Sequence, residues 1–244
     1  MPTIYLSPST QEANEYVTGG SEEYYMNLLA DKMEPYLRSS GIGFTRNTPE
    51  MTAVTSIRAS NAGDYDLHLA LHSNAAPEGQ YGTVRGSDVY YYPGSIRGQR
   101  AAEEIAEGLR AIYPGTVRTL PTTALGEVRQ PKAPSVFIEL AYHDNVEDAN
   151  WITENLDAIA ANIVESLTRY FGIPFITPVP IQAGVVITDG GRLNLRAKPS
   201  LDAEILLRIP NGASVIVFGS WQGWDVVQYG GVIGYADSRY IVIP

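Results

Sequence analysis

Cysteine is absent from the 244-residue chain, and histidine occurs only three times, at His68, His72 and His143. The first absence excludes disulfides and thiolate-ligated zinc, and the second leaves few imidazoles from which a metal site could be assembled. Basic residues are also scarce: 17 Lys and Arg stand against 27 Asp and Glu, for a formal charge of -10 and a pI near 4.8. Without a basic face to displace counterions from phosphate, sequence-independent nucleic-acid binding is excluded. No run approaches the roughly 20 apolar residues of a membrane-spanning helix. "MPTIYLSPST" opens on a strand-like segment in place of a basic, apolar leader, so no signal peptide is expected in this chain. What is present, 44% hydrophobic and 18% charged residues, describes a globular protein of one or two domains.

Residues 1–172 alternate short apolar runs with longer segments of helical period. "TIYLS", "IGFTRN", "DLHLALHS", "GSDVYYYPG" and "SVFIELAYH" read as strands. Between them, "SEEYYMNLLADKMEPYLRSSG" places Tyr25, Leu29, Met33 and Leu37 at spacings of four, with Ser21 as N-cap and Gly41 as stop. "MTAVTSIRASNAG" and "SIRGQRAAEEIAEGLRAIYP" read as further helices, and residues 146–172 as one long closing helix. Such alternation predicts an α/β fold, a twisted, mostly parallel sheet with helices on both faces. The Pro-rich stretch 173–182 reads as a linker. Residues 183–244 lose helical period and break into short β-rich pieces separated by Gly, Pro, Asn and Asp, the pattern of a small all-β barrel. Of its aromatics, Trp224 and Tyr240 are expected in the core.

Two histidines lie on one strand. Four residues of extended chain span roughly 13 Å, so His68 and His72 cannot both bind one metal ion there. His72 ends the apolar run at the carboxyl end of its strand, where open α/β sheets place their sites; His68 lies further down and reads as a hydrogen-bonded core residue. Two carboxylates suit a hydrolytic centre. Glu22 opens the first long helix on the face of Met26 and Leu29, a site position or a complement to the helix dipole, and it fits the helix phase better than Glu23. Glu139 interrupts an apolar strand, where a carboxylate is costly unless paired, metal-bound or bridged to Arg129 or Lys132.

Beyond these readings, several separated motifs resemble the zinc-dependent N-acetylmuramoyl-L-alanine amidases of peptidoglycan: "IYLSPS", Glu22 opening its helix, Thr45–Arg46, an arginine helix ending in Asn61, "LALHSNAA" with His72, Ser73 and Asn74, and "APSVFIELAYHDN" with Pro134 and Glu139. The resemblance spans residues 3 to 171. Residues 191–241 separately resemble a bacterial SH3-type domain, a module common in enzymes that hold the cell wall. The implied activity is hydrolysis of the amide between N-acetylmuramic acid and L-alanine of the stem peptide, as in an autolysin, a sporulation enzyme or an endolysin, acting in the cell wall or outside the cell after export or lysis. The implied cofactor is Zn2+, with Glu22 and His72 as ligands and Glu139 as general base. Asn74 and Arg129 are candidate substrate contacts. Family members carry a first histidine ligand just after the first strand; here that stretch is "LSPSTQEANEYVTGG". His143 is the first candidate to replace it, if its strand continues past Glu139; a substrate-contacting or capping histidine is the other reading, and Gln11 and Glu12 are weaker replacements. The alternative function is a wall-binding protein on an amidase scaffold whose centre has decayed.

Overall fold

A computed structural model describes all 244 residues, Met1–Pro244. The chain divides into two compact units, one of Thr3–Met33 and Phe44–Tyr170, the other of Met1–Pro2, Glu34–Gly43 and Phe171–Pro244.

The first unit is built on β1 (Thr3–Pro8), α1 (Glu22–Ser39, whose residues from Glu34 on fall in the other unit), β2 (Gly43–Arg46), α2 (Ala53–Ala62), β3 (Leu67–Asn74), β4 (Ser87–Tyr91), α3 (Ile96–Ile112), β5 (Val117–Pro121), α4 (Gly126–Arg129), β6 (Ser135–Tyr142), α5 (Val146–Glu154) and α6 (Leu156–Phe171). Its six strands lie in the order β2-β1-β3-β6-β4-β5. The centre is parallel, β1 to β3 and β3 to β6, while β4 runs antiparallel to β6. Both central strands are almost wholly buried, as expected of a near-continuous apolar run covered on both faces. Against the sheet, α3 buries Ala101, Ala102, Ile105, Ala106 and Leu109, and Ser95 caps it by accepting from Gly98 N.

Three elements depart from the sequence reading. The single closing helix is two, because at Asn155 the side chain donates to the Trp151 carbonyl (2.8 Å) and the backbone N–H turns to Ile152 O (3.3 Å), the backbone competition typical of Asn. Two short pieces, β5 and α4, were not expected at all. Each is too short to display a period.

The second unit contains β7 (Gln182–Val186), β8 (Arg192–Arg196), β9 (Ile205–Pro210), β10 (Ser214–Trp221), β11 (Trp224–Tyr229), β12 (Val232–Asp237) and β13 (Ile241–Val242). They form one sheet in the order β13-β7-β10-β11-β12-β8-β9. One core cluster centres on Val186, Leu195, Ile209, Val215, Val217 and Val227. A second gathers Ile176, Phe218, Val226, Ile233 and Tyr235, with Trp221 and Trp224 half-buried against it. Tyr240, expected in the core, is 39% exposed, because it sits on a single 3-10 turn (Ser238–Tyr240) between strands. The fully buried tyrosine is Tyr235, whose hydroxyl donates to Ser40 O at 2.7 Å. Nearby, Ser39 Oγ donates to Ile176 O and Ser40 Oγ accepts from Ile176 N. Residues 34–43 thus pack with this unit. Gly41, at φ +72°, leaves no room for a side chain beneath the Tyr235 ring.

Replacing Tyr235 by Phe strips a buried carbonyl of its donor. The expected cost is about 1–2 kcal/mol, read as a lower urea midpoint of unfolding with an unchanged slope.

Candidate active site

The site lies at the carboxyl ends of β1, β3 and β6. In the β3–β6 register His72 stands opposite Glu139. Ser21 Oγ accepts from Tyr24 N at 3.2 Å, which caps α1 and makes Glu22 its first residue. Glu22 is 1% exposed. Its Oε1 lies 2.7 Å from His72 Nδ1, and Oε2 accepts from Asn14 Nδ2 at 2.6 Å. From the first turn of α1, Glu22 can complement the helix dipole while its carboxylate lies against His72. The loop that leads from β1 to α1 brings Gln11 to the same point, its Nε2 atom 3.3 Å from His72 Nδ1 and 3.5 Å from Glu22 Oε1.

The other edge of His72 meets a second carboxylate. Its Nε2 is 3.2 Å from Glu127 Oε2, on α4. Glu127 Oε1 accepts from the Ser7 hydroxyl at 2.6 Å and lies 3.3 Å from His68 Nε2. His68 is fully buried; its Nδ1 is 3.0 Å from Ser60 Oγ and its ring stacks on Tyr5. It is the hydrogen-bonded core residue that was expected. Its carboxylate partner was not expected. The His72 ring stacks on Phe137, centroids 4.2 Å apart. Pro8, Gln11, Asn47, His72, Glu127 and Phe137 line a cleft of about 350 Å³.

Charge divides unequally across this cluster. Burial pulls the His72 imidazole down, but hydrogen bonds to Glu127 and Glu22 and their charges prevail and push it up to about 10. Burial likewise raises Glu127, yet its bonds to His68 and His72 bring it down to about 2. Glu22 is also lowered, its burial outweighed by the bond and charge of His72 and by Asn14 and Ser9. Glu139 goes the other way. Burial, opposed by the His72 charge and aided by Glu22 and Asp88, pushes it up to about 8. Its Oε2 is shielded from solvent and has no hydrogen-bond partner.

The remaining expected residues fall elsewhere. His143 is buried, with Nδ1 3.0 Å from Ser73 Oγ and 3.1 Å from Ser73 O, and it stacks on Tyr16. Its candidacy as a ligand assumed that the strand continues through residue 143; β6 ends at Tyr142 and the β3–β6 register shifts between His72 and Asn74. Glu22, His72 and His143 are not gathered together, and no three His, Cys, Asp or Glu side chains form a metal-binding group. Asn74 is half-buried at the end of β3, where its Oδ1 accepts from Ala75 N. Arg129 is exposed, donates to Thr123 O at 3.4 Å and lines a different cleft with Tyr92, Arg97 and Lys132. The Lys132 ammonium donates to Asn61 O. Neither cation bridges Glu139. Sequence reasoning missed Glu127 altogether, since "GEVR" is one helical turn with no apolar period to reveal a buried face.

A parallel-centred α/β sheet with a carboxylate–histidine pair and a separate shielded carboxyl at its strand ends has the layout of a hydrolytic domain. A family model described as N-acetylmuramoyl-L-alanine amidase matches residues 9–169, and one described as a bacterial SH3 domain matches residues 191–242. The chain belongs to the N-acetylmuramoyl-L-alanine amidase family. It is 26% identical over 179 residues to the N-acetylmuramoyl-L-alanine amidase LytC of Bacillus subtilis (strain 168), covering 69% of this chain but only 35% of that relative. Among solved structures, the catalytic domain of the amidase CwlV from Bacillus (Paenibacillus) polymyxa var. colistinus superposes with a TM-score of 0.63 at 14% identity, covering 71% of this chain and all of that one. The amidase AmiC2 of Nostoc punctiforme gives 0.60 at 16% identity, over 70% and 97% of the two chains. These likenesses show the fold.

The state of Glu139 has a measurable effect on stability. Below pH 4.5 the carboxyl is protonated in both folded and unfolded chains and has no effect. Between 4.5 and about 8 the unfolded chain ionises while the folded one keeps its proton, so stability falls as pH rises, then levels off. In metal-free protein, Glu139→Gln should therefore raise stability at pH 7 by on the order of 2 kcal/mol. The gain should vanish near pH 4 in melting curves of the two proteins across that range.

Proposed function

We propose that this protein is a peptidoglycan hydrolase that cuts the amide between N-acetylmuramic acid and L-alanine, with Glu139 as the proton carrier. The observation that carries this reading is the shielded, unpartnered Glu139 Oε2 beside His72 at the strand ends. Family membership supplies the bond class.

Glu22 and His72 supply two of the three protein donors a catalytic zinc uses, and no third His, Cys, Asp or Glu joins them. Glu22 Oε1 and His72 Nδ1 converge on one point, and the Gln11 side-chain amide abuts both. Rotating that amide end for end presents its carbonyl oxygen as a third donor, since O and N are interchangeable in such an assignment. Glu22, His72 and Gln11 would hold the metal. When bound, zinc would polarise the scissile carbonyl and acidify the attacking water. Glu139, in its ionised form, would accept a proton from the attacking water and return it to the leaving amine of L-alanine. The shielding around its carboxyl, by disfavouring charge, makes the proton easy to hold between the two steps.

The barrel is proposed as a holder of the wall. Trp224, Tyr240, Arg192, Arg196 and Asp189 line a cleft of about 410 Å³ on it, an aromatic and charged surface suited to glycan and peptide groups. The wall, reached from within or outside the cell, is the expected place of action. A second reading, a wall-binding protein without turnover, draws on the lack of a third His, Asp or Glu donor.

Glu139→Ala should abolish clearing of wall suspensions, a fall of at least about 100-fold, while the zinc content of the purified protein stays that of the wild type. Clearing that continues at the wild-type rate removes Glu139 from the mechanism. Gln11→His should tighten zinc, and Gln11→Ala loosen it, in competition with a chromophoric chelator. A wild-type protein that takes up no zinc and clears no walls leaves the binding reading in place.

A further inference from the structure

We propose that the basic cleft beside α4, lined by Arg97, Arg129 and Lys132, binds the carboxylates at the far end of an acidic peptide. That peptide is the stem whose first amide lies at Glu139, so the assignment rests on the amidase reading.

Two clefts flank one helical turn and share one strand. Phe137 lines the cleft at His72, together with Leu125, Gly126 and Glu127. Ser135 lines a larger cleft of about 590 Å³, together with Val128 and Arg129 from the same turn. Residues two apart on a strand share a face, so Ser135, Phe137 and Glu139 stand in one row along β6. The turn sits over that row: Ser135 Oγ donates to Val128 O at 2.6 Å, and Phe137 packs with Val128. From Glu139 to Ser135 the row is roughly 13 Å long, at about 3.3 Å per residue. An extended peptide has the same rise. With its first amide at Glu139, a substrate running toward the start of β6 would bring its terminal carboxylate to the second cleft about four residues on.

Charge sets that cleft apart from the rest of an acidic protein. The chain carries a formal charge of -10, yet three cations line this cleft and no Asp or Glu does. Arg129 donates to Thr123 O at 3.4 Å and the Lys132 ammonium to Asn61 O at 2.7 Å. Both partners are neutral carbonyls. Of the three cations, Arg97 alone has an acid nearby, Asp66 Oδ1 at 3.8 Å. All three are exposed, so their heads can turn toward a ligand. Like charges gathered in one cleft repel, and an anion placed among them relieves that repulsion. The guanidinium fork matches a carboxylate in particular. Tyr92 and Ile96, the latter 83% exposed, add apolar surface for the carbon chain that carries the acids. The volume is that of a small-ligand cleft.

The test titrates the full-length, chelator-treated protein with acetyl-L-Ala-D-Glu-L-Ala-D-Ala, with the same peptide amidated at both carboxyls, and with inorganic phosphate. Backbone amides are followed by NMR, so binding is read without turnover. The charged peptide should shift the amides of Arg97, Arg129 and Lys132 and bind more weakly as salt is raised. Its amidated form should bind about tenfold more weakly. Arg129→Gln combined with Lys132→Gln should impose a similar loss on the charged peptide and leave the amidated one unaffected. Arg110→Gln, which removes a charge near the other end of α3, should match the wild type. The proposal is overturned if the charged peptide does not bind, if both peptides bind equally, if the shifts lie elsewhere, or if phosphate displaces the peptide as readily as the peptide itself does. Unchanged affinity in a double variant that still clears walls removes the cleft and leaves the amidase reading. Charge-dependent binding here by a wild type that clears no walls does the reverse.

Discussion

The site depends on a single imidazole caught between two carboxylates from different parts of the chain. Glu22 comes from the first turn of α1 and Glu127 from the one turn of α4, and His72 at the tip of β3 touches both. Each contact crosses at least fifty residues of sequence, so none of the three groups is placed by its neighbours. The parallel sheet brings them together: β1, β3 and β6 end side by side, and whatever follows each strand is delivered to the same edge. Burying so much charge is tolerable only because each charged group has a partner of opposite sign and further hydrogen bonds. Glu139 Oε2 has no hydrogen-bond partner, and burial pushes this carboxyl up to about 8.

The loop between β1 and α1, which carries no histidine, is not loose. Glu22 N donates to Asn14 O, Asn14 Nδ2 donates back to Glu22 Oε2, and Tyr16 N closes a turn on Gly20 O. Tyr16 is buried against Tyr25 and His143. His143 stacks on the loop's aromatic and bonds Ser73, beside His72. The loop that carries Gln11 is thereby tied to the tip of β3.

Much of this was legible in the sequence, and the parts that were not share a cause. The central strands and α1, α2 and α3 declare themselves by apolar period, and the sheet-facing direction of Glu22 follows from helix phase. Glu139 stands out as a carboxylate in an otherwise apolar strand. His68 reads correctly as core by its depth in the strand. What failed was everything dependent on contact across the fold or on elements shorter than their own period. Four-residue α4 hides Glu127, the break at Asn155 turns on side-chain hydrogen bonds, and the placing of His143 turned on where one strand stops. The packing of the last turns of α1 was likewise not legible, because it is set by Tyr235 and Ile176, far along the chain.

All three imidazoles of this protein are interior, with exposures of 0%, 6% and 4% at His68, His72 and His143, and there is no thiol anywhere. The surface therefore lacks the soft nitrogen and sulfur donors on which stray transition metals usually settle. Any zinc, nickel or copper that survives extensive dialysis is thus a guest of the interior, which gives elemental analysis of this molecule an unusually clean background.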